Sequence, residues 1–151
     1  MPKAHRAICL DVKQILSGSK LITASEAVER FVNSGDCLSI GGFTINRNPM
    51  ALTYEILRQQ IKDLHVVMHS GSQALDLLIG AGRVSLLEIA YGANGRLAPT
   101  CVRFRKAIEQ GTLKVEDYTN YQMTLRFMAG AMGVPFLPTY SSLGKIGRAH
   151  V

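Results

Sequence analysis

Asp36-Cys37-Leu38-Ser39-Ile40-Gly41-Gly42-Phe43-Thr44-Ile45-Asn46-Arg47-Asn48-Pro49 is the stretch whose reading decides the fold. A short apolar run meets two glycines and an aromatic residue, crosses a polar loop and enters a helix through a proline. The run over 37–43 reads as a buried strand. Asn48 reads as the N-cap of the following helix, with Pro49 at its first position. A strand that leaves through such a loop into a helix opens a βαβ unit, and ligands of such units gather at the carboxyl ends of the strands. Glycines there carry no Cβ, so a ligand or a second backbone can come close.

Upstream, Thr23-Ala24-Ser25-Glu26 has the spacing of a capping box, with apolar Ala27, Val28, Phe31 and Val32 at helical period behind it. Asn33-Ser34-Gly35-Asp36 ends that helix. Downstream, the helix from Pro49 runs to about Gln60 on Leu52, Ile56 and Leu57. Residues 64–68 form a second strand centred on Val66 and Val67, with His69-Ser70-Gly71-Ser72 as its exit loop. Ser72 or Gln73 begins a short helix on Leu75, Leu77, Leu78 and Ile79, closed by Gly80-Ala81-Gly82. Residues 84–91 form a third strand, and Gly92-Ala93-Asn94-Gly95 is the turn beyond it. Pro99 is expected to open a helix to Gln110, Val115 a short strand, and residues 118–132 a last helix stopped by Gly133. The alternation predicts an α/β fold: an open, mainly parallel, doubly wound sheet flanked by helices. The exit loops at 41–48, 69–73 and 92–98 then share one edge. Their glycines and small polar residues suit backbone N–H groups that face an anion or a thioester.

The chain has 151 residues, 47% hydrophobic and 19% charged, which is enough for one domain with a core. No apolar run approaches the roughly 18 residues of a membrane span. Asp11 interrupts Ala7-Ile8-Cys9-Leu10, a poor secretory segment, so no membrane association and a cytoplasmic location are expected. Residues 1–20 read as a loose arm and residues 21–145 as the domain. The three cysteines form no CxxC pair, which argues against a disulfide framework or a metal site. Cys37 and Cys101 read as reduced, core-type thiols. The net charge of +6 is spread thinly, and its one cluster, Arg103-Phe104-Arg105-Lys106, reads as a solvated helix face rather than a nucleic-acid footprint. There is no GxSxG, HExxH or phosphate-binding loop. His65 and His69 sit four apart on a strand, roughly 13 Å from each other, too far to share a metal. Glu88 is the one acid inside an apolar strand, and edge exposure and catalysis both remain open for it.

The segment from Ser34 through Gly41-Gly42-Phe43 to Pro49 resembles the first signature of family I CoA-transferases, carried by their alpha subunit. That pattern usually has a glycine two residues before the proline. Here Arg47 stands there, as in the glutaconate CoA-transferase branch, whose alpha subunit has a similar Gly-Gly-Phe-Thr loop with an arginine. Glu55-Ile56-Leu57-Arg58-Gln59, Leu78-Ile79-Gly80, Gly82-Arg83-Val84, Tyr91 with Ala93-Asn94, Arg103-Phe104-Arg105-Lys106, Glu116-Asp117-Tyr118 and Pro135-Phe136-Leu137-Pro138 continue the resemblance over about residues 21–144. Gly95 departs from it, since the branch has a serine after the asparagine, and this leaves the dicarboxylate specificity open.

The resemblance implies a subunit that moves CoA between an acyl-CoA and a carboxylic, dicarboxylic by the branch, acid. The nucleophile toward the thioester is a glutamate of the beta subunit, and an acyl anhydride and a glutamyl-CoA thioester follow in turn. Nothing in this chain matches the motif of that glutamate, so no catalytic residue is assigned here, and activity is expected only with a beta subunit in a hetero-oligomer. Gly41, Gly42, Phe43 and Thr44 would present backbone and an aromatic wall. Arg47 would pair with a substrate carboxylate, whose geometry suits a guanidinium fork, or with a surface or inter-subunit acid. Ser70, Gly71, Asn94 and Gly95 would complete the acyl pocket. The coenzyme A thioester enters as substrate, and no permanently bound cofactor is implied. A related acyl-CoA hydrolase or ring-cleaving CoA enzyme, or a non-catalytic assembly subunit, are the other readings. The chain is shorter than the subunit it resembles, so a truncated sheet with exposed apolar surface and low solubility is expected. Residues 146–151 equal one reading frame of a common sequencing adapter and read as an artefactual tail.

Overall fold

The computed structural model describes residues 21–95, 97–141 and 143. The arm read at 1–20 and the tail read at 146–151 lie outside the described residues. Helix α1 (Ala24–Phe31) starts at the expected capping box: Glu26 N–H donates to Thr23 Oγ1, and Thr23 N–H donates to Glu26 Oε2. Strand β1 (Cys37–Ser39) is shorter than the run at 37–43 suggested. Beyond Ile40 the chain pairs with itself, Phe43 with Asn46, instead of with a neighbouring strand. Helix α2 (Met50–Arg58) has Pro49, not Asn48, as its N-cap. The Asn48 amide donates instead to Thr44 O at 2.8 Å, so it ties the preceding loop together.

Strand β2 (Leu64–Gly71) continues through the residues expected to form its exit loop. Helix α3 (Gln73–Gly80) follows from N-cap Ser72, and strand β3 (Val84–Gly92) after it. Helix α4 (Val102–Glu109) starts three residues after Pro99, behind Cys101, which offers no side-chain cap. Asp76 of α3 supplies the cap from another helix, its Oδ1 accepting from the backbone N–H groups of Arg103 and Phe104 at 2.8 and 3.0 Å. Strand β4 (Lys114–Asp117) leads into helix α5 (Asn120–Met132), which has its own capping box at Thr119 and Gln122.

The four strands are all parallel, in the order β1-β2-β3-β4. Leu64, Val66 and Met68 of β2 and Leu87 and Ile89 of β3 are buried on one face. They pack with Val28, Ile56, Leu75, Leu78 and Ala107 of the four preceding helices. Side chains alternate along a strand, so Cys37, His65 and Glu88 belong to the opposite face. There α5 packs on β2 and β3. Helices therefore flank both faces, as expected of this α/β class. Beside β1 an apolar cleft of about 390 Å³ opens between α1 and α2, bounded by Phe31, Leu38, Leu52 and Gly41. Among the described residues, no helix is long and apolar enough to cross a membrane.

Candidate functional site

The parallel order brings the carboxyl ends of β1, β2 and β3 to one edge, and the three loops that leave them touch one another. In the first loop, Phe43 N–H donates to Asn46 O at 3.0 Å and Asn46 N–H to Phe43 O at 2.9 Å, which closes a two-residue turn at Thr44-Ile45. Thr44 (φ 49°) and Arg47 (φ 57°) both adopt left-handed backbone. For a β-branched threonine this is an outlier, and such strain of about 1–3 kcal/mol collects at functional loops. Gly42 (φ 114°) lies where a Cβ would come within 3.1 Å of Arg47 O and 3.2 Å of Asn46 O, so only glycine fits the turn.

The Phe43 side chain is 51% exposed, and its ring centroid lies 6.3 Å from that of His69 at the end of β2. Beside it, His69 Nδ1 and the buried Ser70 Oγ are 2.8 Å apart. At Gly71 a Cβ would meet Leu75 Cδ2 at 2.4 Å and Ile89 Cδ1 at 3.1 Å, so this glycine lets α3 close onto β2. The second and third loops are joined by Ser72 Oγ, which donates to Asn94 Oδ1 at 2.7 Å, and by Ala93 N–H, which donates to Gly71 O. Asn94 N–H donates to Ala98 O, and Leu97 N–H returns to Asn94 O. The first and third loops adjoin where Thr44 Oγ1 lies 4.0 Å from the position a Cβ of Gly95 would take.

Of the nine residues singled out from the sequence, seven fall on the loops at this edge and two, Ser70 and Gly71, are the last residues of β2, with different exposure. Phe43, Gly42 and Thr44 form the open rim. Arg47 is exposed and makes no ion pair among the described residues. Gly41 borders the apolar cleft beside α1 and α2. Ser70 is buried with its hydroxyl engaged by His69, and Asn94 uses its carbonyl oxygen to hold Ser72, so both support the walls from behind. His69, which the sequence reading did not single out as a site residue, also stands at this edge, between Phe43 and Ser70 at the end of β2. It does not share a ligand with His65, which bonds Glu88 instead.

Glu88 requires a correction. It is 6% exposed in an interior strand, so edge exposure is not its explanation. Its Oε1 lies 2.7 Å from His65 Nε2, and its Oε2 is ion-paired with Arg126, whose guanidinium stands 4.4 Å over the Tyr118 ring. This network ties α5 to the second face of the sheet in the middle of β3, away from the strand exits. Burial pushes the Tyr118 hydroxyl above its ordinary value, and its hydrogen bond to Glu116 adds to the effect.

Cys37 is exposed rather than a core thiol, while Cys101 is buried as expected. Burial, and then the charge of Asp76, push the Cys101 thiol up to about 11. Partial burial and the Glu88 carboxylate also raise Cys37. Neither is an activated nucleophile. In the basic cluster, Arg103 binds Asp76 and Arg105 reaches Glu109 along the helix. No group of His, Cys, Asp and Glu that could hold a metal occurs among the described residues. The three loops at 40–48, 69–73 and 92–100 contain no Asp or Glu. Among the described residues the edge offers backbone amides, an aromatic ring, an imidazole and a guanidinium.

Comparison with known proteins bears on the family and the fold. The chain is 42% identical over 120 residues to the A subunit of glutaconate CoA-transferase from Acidaminococcus fermentans, covering 80% of this chain and 38% of that protein. The crystal structure of that glutaconate coenzyme A-transferase superposes with a TM-score of 0.79 at 40% identity, covering 84% of this chain and 40% of the solved one. The A subunit of 3-oxoadipate CoA-transferase from Pseudomonas knackmussii is 40% identical over 121 residues, 78% of this chain and 42% of its own length. The cholesterol ring-cleaving hydrolase IpdA subunit of Rhodococcus jostii is 32% identical over 126 residues, 83% of this chain and 42% of its own. The chain thus spans about two-fifths of the length of these relatives. A family profile described as Coenzyme A transferase matches residues 21–147, and the chain belongs to the coenzyme A transferase family.

Proposed function

We propose that this chain supplies one wall of a shared active site in a cytoplasmic hetero-oligomer that moves CoA between an acyl-CoA and a carboxylic acid, dicarboxylic by preference. The observation that carries the reading is the composition of the three converging loops. They present glycine backbone, Phe43 and Arg47 but no Asp or Glu. Covalent CoA transfer through an acyl anhydride needs a carboxylate nucleophile, so a glutamate must enter from a beta-type partner. Relatives named as the A subunits of CoA-transferases support that division of labour. Gly41, Gly42 and Thr44 offer the substrate backbone, Phe43 flanks the acyl chain, and Ser70, Gly71, Asn94 and Gly95 shape the pocket floor. Arg47, held at φ 57° and without an ion pair among the described residues, receives the distal carboxylate. A planar fork matches a carboxylate in two hydrogen bonds, and a lysine ammonium does not.

The test assembles the chain with a beta-type subunit that bears the glutamate, then follows CoA passing from glutaryl-CoA to acetate. Arg47→Lys should raise KM for glutaryl-CoA about tenfold and leave butyryl-CoA within about twofold, because only the dicarboxylate half-ester presents a second carboxylate. Equal effects on both substrates would remove the dicarboxylate assignment. Release of free CoA with no transfer would favour the hydrolase reading, for which the 32% identity to a ring-cleaving hydrolase subunit speaks.

A further inference from the structure

Among the described residues, His69 is the one imidazole at the strand exits. Its ring is half-buried between the Phe43 ring, 6.3 Å away, and the Ser70 hydroxyl, 2.8 Å from Nδ1. Ser70 is buried, and its hydroxyl has no other partner among the described residues. A buried O–H needs an acceptor, and Nδ1 is the acceptor at hand. A hydroxyl that donates to Nδ1 leaves the ring proton on Nε2. Nε2 itself has no partner among the described residues. In that arrangement Nε2–H is a donor oriented from behind by Ser70, with the Phe43 ring alongside, at the Gly42-Phe43-Thr44 rim.

We propose that His69 is a specificity-determining residue of the acyl pocket, its Nε2–H donating a hydrogen bond to a carbonyl or carboxylate oxygen of the acyl group, with Ser70 and Phe43 positioning the ring. The inference rests on the CoA-transfer reading for its substrate class, and rests on the Phe43–His69–Ser70 geometry for the donor. A donor of fixed orientation favours acyl groups that carry an oxygen at that depth over plain alkyl chains of the same length.

The test uses His69→Phe and His69→Gln in the assembled complex. Phenylalanine keeps a ring against Phe43 but has no donor, whereas the glutamine amide nitrogen falls close to the position of Nε2. The Phe variant should raise KM for glutaryl-CoA about tenfold with kcat within about twofold, and the Gln variant should stay within about threefold of wild type. An unchanged KM in the Phe variant, or equal losses in both variants, would overturn the proposal. A wild-type complex that transfers no CoA counts against the functional reading instead, and imidazole proton–nitrogen spectra of the chain itself then judge His69 separately. Those spectra should show a bare Nδ1 and a protonated Nε2 that shifts as glutarate is added. A protonated Nδ1, or a ring signal that glutarate leaves unmoved, contradicts the assignment.

Discussion

The face of the sheet that carries Leu64, Val66, Met68, Leu87 and Ile89 and the face that carries Cys37, His65 and Glu88 belong to the same strands but are buried by different means. The first lies under α1 to α4 and is close to wholly apolar, so its stability follows from area removed from water. The second lies under α5, and the contact there runs through Glu88, which is matched by His65 and Arg126. Each side also has one buried carboxylate. Asp76, among the crossover helices, is satisfied mainly by backbone N–H groups that α4 would otherwise leave unpaired. Glu88 meets side chains alone, with a hydrogen bond to His65 at Oε1 and only the Arg126 ion pair at Oε2. The difference teaches that one sheet can use shape on one face and charge pairing on the other, and that the two should respond to different substitutions.

That contrast can be broken at its strongest point first. Leu87→Ala removes a fully buried side chain from the apolar face and should cost about 2–5 kcal/mol in urea denaturation. A cost below about 1 kcal/mol would mean that the helices collapse onto the gap and the face is not tightly packed. Asp76→Ala should come next, at about 1–3 kcal/mol, since it orphans the N–H groups of Arg103 and Phe104 at once. Asp76→Asn, which keeps an acceptor, should recover much of that loss, and hydrogen exchange should report the change in the first turn of α4. Glu88→Gln is the mildest case. It keeps the shape and an acceptor for His65 and loses only the ion pair with the half-exposed Arg126, so about 1 kcal/mol or less is expected. Combined with Arg126→Met, the two costs should fall short of their sum, and strict additivity would show that the pair is not coupled.

The same contrast explains what can be read from the chain. The apolar periods of α1 and α2, the runs of β2 and β3 and the glycines at the strand exits are local signals, and they place the fold class correctly, although β2 runs on through Gly71 into the residues read as its exit loop. The start of α4 does not lie at Pro99, where the sequence points, because its cap comes from Asp76, on a different helix. Strand β1 is shorter than its apolar run because the last residues of that run turn back on themselves through Phe43 and Asn46. Glu88 is ambiguous in the sequence because its partners lie on β2 and α5, and an acid in an apolar strand gives no hint of which face it will meet. At the site, Gly42 and Phe43 are legible as a loop. The role of His69 depends on Ser70 and Phe43 arriving on either side of it, which spacing along one strand cannot show.

The strict order β1-β2-β3-β4 has a consequence for how the chain reaches this state. Among the described residues, each of β2, β3 and β4 pairs with the strand made just before it. Each pairing closes through a helical crossover rather than a tight hairpin, so the sheet forms more slowly than an antiparallel one of the same size and leaves its apolar faces open for longer. Helix α5 is made after all four strands, so its Arg126 is the later of Glu88's two partners to leave the ribosome.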